Sequence, residues 1–449
     1  VSGERPINAD EPAPDSAVAA GKPEEKKGKE KAGAPVQPKP PRKPVPGALK
    51  LIGALVLVAV VFIVAAIVGG GGGQSAPQPE GPAPVPAGEA EPSQEAPAEQ
   101  AATELGYPAF ATANTTRIGG SDPASNAAAA ALAVFPAITD AQRPAAVTVV
   151  EEGDWEAAIA AAALTAEPVR APILFANSEG APDPTSEALA ALDPQGGDAS
   201  KGAGAFAVGD VADPDVGGSV TRVKGRGPAA AAALAALRDR LAGGPPAHIV
   251  IAPSDQPEFA MPAAAWAARS SDPVLFAGKD DLPKPTAAVL KRHAKVPVYV
   301  LGPSSAISSD VLRAIDKIGG SVHRVSGEDP VANAIAFARY GQGSFGWNVN
   351  DPGHGFVVAR SDSPLDAAAA APLSAAGTWG PLLLTDNAAA LPPALRDYFL
   401  DVKPGYTTDP TRAFYNHVWL IGDQEAIDVA QQAEINELAE LAKIGGESG

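Results

Sequence analysis

An arginine, an aliphatic residue, a glycine three places after the arginine, then a proline and an alanine-rich run occur three times in this chain. No other feature limits its fold as much. The copies read "TRIGGSDPASNAAAAAL" (116–132), "TRVKGRGPAAAAALAAL" (221–237) and "HRVSGEDPVANAIAFAR" (323–339), with Arg117, Arg222 and Arg324 standing 105 and 102 residues apart. Other segments recur in step. A first apolar run ("AAVTVV", "AHIVIA", "GFVVAR") leads through an acidic turn into an alanine-rich stretch, then to a second run ("APILFAN", "DPVLFAG", "GPLLLTD") and a third ("AGAFAVGD", "VPVYVLGP", "HVWLIGD"). Short β-branched runs alternating with helices of about ten residues predict βαβ units whose parallel sheets are buried on both faces. A period near one hundred is too long for a solenoid turn and long enough for a small α/β module. The fold class expected is α/β, with three Rossmann-like parallel-sheet modules around a pseudo-threefold axis, repeat 1 over 112–218, repeat 2 over 219–320 and repeat 3 over 321–443.

The repetition decides how the glycines are read. A dinucleotide fingerprint needs G-x-G-x-x-G directly after a strand and a P-loop needs G-x-x-x-x-G-K-[ST]; neither occurs. Gly120, Gly225 and Gly327 read instead as turn glycines ahead of a helix, with Pro123, Pro228 and Pro330 in its first turn. No cofactor is expected.

This arrangement, an Arg–aliphatic–x–Gly–x–Asp entry into an alanine helix followed by "AAAAAPLSA", "PLLLT" and "VWLIG", resembles the type-2 cell-wall-binding repeat of Gram-positive surface proteins. The resemblance runs over residues 112–440 in three copies. It implies three Rossmann-like modules packed as a pseudo-trimer that attach non-covalently to an anionic wall polymer. The copies depart from the family where it carries Arg-Tyr and a nearby Thr after the first motif's Asp: here stand "DPASN", "GPAAA" and "DPVAN". Asp122 and Asp329 match the acidic position, and the middle copy has Gly227.

Ligands of parallel α/β sheets bind outside the carboxyl ends of the strands. That places Asp154, Asp255 and Asp362 in the turns after the first strands, and Glu156, Glu258 and Asp366 at the helix starts, among the candidates. The same acids would serve as ordinary helix caps and dipole partners. Arg117, Arg222 and Arg324 carry a planar fork suited to phosphate or carboxylate; the alternative is an intramolecular pair, and Arg222 lacks the matching Asp. Trp155, Trp266 and Trp419 fall within helix or strand patterns and read as core. Trp347 and Trp379 fall in glycine-rich loops and are the candidates for stacking on a saccharide.

Charge and composition exclude several classes. The net charge of −18 argues against a nucleic-acid partner. An anionic polymer would need a focused basic site or bridging divalent cations, so wall binding is expected to weaken with chelator or salt. The absence of cysteine removes disulfides, thiol catalysis and cysteine-ligated metals. Five scattered histidines form no metal motif, no G-x-S-x-G elbow is present, and no enzyme is expected. A glycosidase carboxylate pair leaves no linear motif to exclude, and a cell-wall hydrolase is the third reading.

Ahead of the repeats, "LIGALVLVAVVFIVAAIV" (51–68) is long enough for roughly 27 Å of helix, close to a bilayer core. Residues 1–50 hold ten Lys and Arg and residues 69–116 hold none, which predicts a cytoplasmic amino terminus and repeats outside the cell. The expected order is a disordered Pro/Lys-rich segment (1–46), a transmembrane helix (47–68) and a Gly- then Pro/Ala/Glu-rich stalk (69–111). On this reading the chain is a single-pass envelope protein whose repeats bind an anionic wall polymer or peptidoglycan. The other reading is an adaptor with a protein partner, engaged through the degenerate repeats or the basic amino-terminal segment.

Overall fold

The first copy of the motif becomes strand β2 (Thr115–Ile118), preceded by the short β1 (Phe110–Ala111) and followed by helix α1 (Pro123–Val134). The computed structural model describes residues 110–377 and 380–444. Downstream, β3 (Val147–Glu151), β4 (Ile173–Ala176), β5 (Ala203–Val208) and β6 (Ser219–Val223) form a parallel sheet ordered β4-β3-β5-β6, with α2 (Trp155–Ala161) and α3 (Asp183–Leu192) in its crossovers.

The pattern then repeats. After α4 (Gly227–Ala242) come β7 (Ile249–Pro253), α5 (Pro257–Ala260), α6 (Pro262–Ser270), β8 (Val274–Ala277), α7 (Lys284–Arg292), β9 (Val298–Leu301), α8 (Ser309–Asp316) and β10 (Val322–Val325). Their sheet is ordered β10-β9-β7-β8. The third unit carries α9 (Pro330–Arg339), β11 (Gly355–Arg360), α10 (Pro364–Ala369), β12 (Leu382–Thr385), α11 (Pro393–Asp401), β13 (Gly405–Tyr406), β14 (His417–Ile421), α12 (Val429–Ala439) and β15 (Ala442–Lys443). Its sheet borrows the beginning of the chain: the order is β1-β2-β14-β11-β12, and β2 lies parallel to β14 with Thr116 opposite Trp419 and Ile118 opposite Ile421.

Sheet and sequence repeat are therefore out of phase by one strand. The arginine-bearing strand completes the sheet behind it, and the helix that follows crosses to the next module. Helix α1 packs on β4 and α3, α4 on β8 and α7, and α9 on β12 and α11. Among the described residues β2 has no sheet behind it in sequence, and it closes the third.

Strands β4, β5, β7 and β8 are apolar along their whole length because both sheet faces are covered, whereas the arginine-bearing β2, β6 and β10 are mixed. Phe175, Phe206 and Phe276 are fully buried, and each such ring contributes about 2–3 kcal/mol. Where the modules meet, α2, α6 and α10 touch one another pairwise. Their buried positions are almost all alanine, including Ala157, Ala158, Ala264, Ala267, Ala367 and Ala368. Three helices can share one axis only if their facing side chains are small, which accounts for the alanine runs as packing rather than as propensity alone. This is the pseudo-threefold arrangement of α/β modules that the repeats predict.

The membrane assignment is corrected. Among the described residues no helix is long and apolar enough to cross a membrane. The amino-terminal segment, the apolar run at 51–68 and the stalk up to residue 109 lie outside those residues. Phe110 and Ala111, expected to end the stalk, instead form β1 of the third sheet. A single-pass topology with a cytoplasmic amino terminus, and a partner for a cytoplasmic basic segment, therefore have no support in the structure.

Candidate functional site

At the carboxyl edge of each of the three module sheets, the helix after the first strand and the helix after the arginine-bearing strand begin side by side, and a buried polar residue ties their starts together. In the third module Asn126 receives the Gly120 N–H (2.9 Å) and donates to Asp366 (2.8 Å). In the second, Asn333 receives the Gly327 N–H and donates to the Phe259 carbonyl, both at 3.3 Å. In the first, one carboxylate serves both helices: Asp154 accepts from the Ala157 N–H of α2 (3.0 Å) and from the Gly227 N–H of α4 (2.9 Å).

That shared cap explains the missing aspartate of the middle copy. Asp122 caps α1 through Ser125 N–H (2.9 Å), and Asp329 caps α9 through Ala332 N–H (2.7 Å). Gly227 takes their place in a left-handed conformation (φ 52°). A Cβ there would lie 2.4 Å from Glu156 Oε2, so α4 draws its cap from Asp154 instead.

The repeat arginines are occupied by the protein. Arg117 is 3% exposed and donates to the carbonyls of Gly422, Asp423 and Ile427 and to the Gln432 side chain. Arg324 donates to the carbonyls of Gly302 (2.5 Å) and Ile307 (2.6 Å). Arg222 reaches the Val211 carbonyl (2.9 Å) and pairs with Asp213. Each braces the loop after its sheet's third strand. Burial pulls the Arg117 and Arg324 guanidinium groups below their ordinary range; around Arg117 the charges of Asp423 and Asp428 oppose that pull.

The remaining sequence candidates separate. Asp255 is exposed and accepts from Lys279 N–H (3.2 Å). Asp362 is held by Arg360 (2.7 Å), which keeps its carboxyl below the usual value. Burial pushes Asp366 up to about 6 despite the Asn126 hydrogen bond, with Asp362 and Asp122 adding to the rise. Burial likewise raises Glu156 to about 6, opposed by Ser254 and reinforced by Asp154 and Asp255. Trp347 is a core residue, 7% exposed with its ring edge-on to Trp266 at 5.6 Å, so its loop offers no open face. Trp379 lies outside the described residues.

What stands open on this edge is a strip that joins two clefts. One, of about 370 Å³, is bounded by Glu151, Asp210, Arg222, Lys224 and Arg226. The other, of about 310 Å³, lies between the first and third modules and is lined by Pro123, Gly153, Trp155, Asp362 and Pro364. Arg226 links them, pairing with Glu151 on one side and donating to the Gly153 carbonyl (3.2 Å) on the other. Lys224 is exposed and makes no ion pair among the described residues. Trp155 is half-buried, its ring edge-to-face with Phe276 at 5.5 Å. The basic corner is confined to one module: at the positions of Lys224 and Arg226 the other copies carry Gly119 and Ser121, and Ser326 and Glu328.

Sequence reading missed all three key residues here, for different reasons. Lys224 and Arg226 lie inside the recognised motif and stand out once the three copies are compared for charge. Trp155 sits at the first position of a helix, where periodicity does not say whether a ring faces core or cleft.

No curated protein matches the sequence. Among solved structures the fold is similar to Cwp6 from Clostridium difficile (TM-score 0.57, 21% identity, covering 73% of this chain and 48% of that one). It is also similar to Cwp8 from Clostridium difficile (TM-score 0.53, 18% identity, covering 73% and 52%). This chain thus spans about half the length of either. Residues 324–431, from the arginine of β10 into the first turn of α12, match the family model of cell wall binding domain 2.

Proposed function

We propose that the three-module unit binds a cell-wall polymer non-covalently, along the strip from Lys224 and Arg226 to Trp155. The match of residues 324–431 to cell wall binding domain 2 is the observation that carries this reading. The chemistry of the strip supports it. An unpaired ammonium meets an anionic group without breaking an internal contact, and a ring in an adjoining cleft offers an apolar face to a sugar. Excluding residues 1–105, the chain carries 24 basic and 39 acidic residues. A polymer of like sign is therefore repelled at long range and held by local contact.

Sedimentation with purified Gram-positive walls tests the reading. The chain co-sediments, and Lys224→Glu combined with Trp155→Ala lowers the bound fraction; Lys224→Glu alone, at an exposed position, lowers it with no change in melting temperature. Equal sedimentation of the double variant would move the site elsewhere on the surface. Failure of the parent chain to sediment would refute wall binding itself.

A further inference from the structure

At the amino edge of the second module, opposite the strip, three distant residues meet. His248 immediately precedes β7, Asp272 precedes β8, and Ser344 sits in the glycine-rich turn after α9. Ser344 Oγ is 3.0 Å from His248 Nε2, and His248 Nδ1 is 2.9 Å from Asp272 Oδ2. Asp272 is 1% exposed and held on three sides: its oxygens accept from the His248 backbone N–H (3.0 Å) and Trp266 Nε1 (3.0 Å), and its own N–H donates to Ser270 Oγ (3.1 Å). An imidazole that donates a hydrogen bond from Nδ1–H to Asp272 presents the Nε2 lone pair to the serine hydroxyl.

The turn does not need this contact for its shape. Gln342 and Phe345 exchange backbone hydrogen bonds (2.8 and 3.0 Å), and the Phe345 ring stacks on Tyr299 with centroids 3.5 Å apart. The serine hydroxyl on His248 is thus surplus to the turn's anchoring. Ser344 is exposed, and nothing lies within 4 Å of where a Gly343 side chain would stand, so the nucleophile can be approached from solvent. Among the described residues the N–H groups of Ser344 and Gly346 are committed to no hydrogen bond, so backbone donors in this turn are free to donate to a ligand oxygen.

We propose that Ser344, His248 and Asp272 form a hydrolytic centre for short-chain carboxylic esters, independent of wall binding. Ser344 Oγ attacks the ester carbonyl carbon as its proton passes to His248 Nε2. The tetrahedral adduct collapses, the C–O bond to the alcohol breaks, and the alcohol leaves with that proton. Water attacks the acyl-serine, gives one proton to His248, and releases the carboxylic acid as the proton returns to Ser344. Asp272 is a positioning residue that fixes the imidazole. An exposed serine on a turn suits an ester carried on a surface or in solution rather than a long acyl chain in a tunnel.

The test treats the full chain with a fluorophosphonate probe and, separately, with p-nitrophenyl acetate. The probe should form an adduct on the peptide containing Ser344. Ser344→Ala and His248→Gln should each abolish the adduct and lower kcat/KM for the acetate ester by about a hundredfold or more. Asp272→Asn should lower kcat at unchanged KM. Ser344→Ala alters an exposed side chain, so its melting temperature should match the parent and its result stands even where the buried variants misfold. An unlabelled Ser344, or ester turnover unaffected by Ser344→Ala, would overturn the proposal and leave the three residues a hydrogen-bonded pin.

Discussion

The guanidinium of Arg117 and the side-chain amide of Gln432 meet across 315 residues of sequence, at 2.9 and 3.1 Å. The same amide donates to Thr115 (3.0 Å), and one turn on, Asn436 accepts from the Asn114 N–H (3.0 Å) and the Thr112 hydroxyl (2.6 Å). The last long helix of the described chain therefore holds β2 and the turn that leads into it in place.

Unequal costs of removing the three repeat arginines follow. Arg117→Ala strands several buried carbonyls and an amide, and should cost about 3 kcal/mol. Arg324→Ala, with two carbonyl partners and partial burial, should cost about 1–2 kcal/mol. Arg222→Ala removes an exposed pair and a single carbonyl contact and should cost under about 1 kcal/mol. Urea denaturation of the three variants checks the order; equal costs would mean that burial is not what separates them.

Stability should decline as pH rises past the ordinary carboxyl range. Asp366 has its pKa raised from 3.8 to about 6 by burial. The folded state thus holds a proton that the unfolded chain has already lost, and that contribution is intact below about pH 4 and gone above about pH 6. Glu156 acts in the same direction. Asp366→Asn can still accept from Asn126 and carries no charge, so it should stabilise the chain by up to about 3 kcal/mol at pH 7.5 and by much less at pH 4.5. Melting curves across that range decide it, and a variant gap independent of pH would contradict the assignment.

Restoring the repeated aspartate in the middle copy should do harm. Gly227→Asp forces a side chain onto a left-handed backbone and against Glu156 Oε2, beside a helix start that Asp154 already caps. The expected cost is about 2 kcal/mol or more, read as a fall in melting temperature.

Wall binding should respond to salt and not to chelator. Among the described residues no group of three or more His, Cys, Asp or Glu could hold a metal ion, whereas Lys224 is exposed to ionic screening. Co-sedimentation should therefore drop between low salt and about 0.5 M NaCl and stay unchanged in EDTA. Loss in EDTA alone would favour cation bridging over direct contact.

The modular α/β fold was legible because strands buried on two faces must be apolar throughout, and three copies in register are hard to mistake. The phase of the repeat was not legible. Nothing local in "TTRI" distinguishes a strand that opens one sheet from a strand that completes another; only the pairing with Val418–Ile421 does. The arginines invited a polymer-binding reading because the carbonyls they bind lie far off in sequence for Arg117 and carry no side-chain signature in any copy. The acids divided as capping chemistry predicts, with Asp122, Asp154 and Asp329 at helix starts. Ser344, His248 and Asp272 were invisible for a simpler reason: 96 and 24 residues separate His248 from its two partners, and no linear motif spans such gaps.

Because β2 is made early and its neighbour β14 lies 301 residues later, from Thr116 to His417, β2 waits without that partner through most of the elongation of the described chain. Completion of that sheet reports that both ends of the ring are present. A product cut short before Val418 would leave β2 with nowhere to dock and its apolar face bare, so the topology itself separates finished chains from unfinished ones.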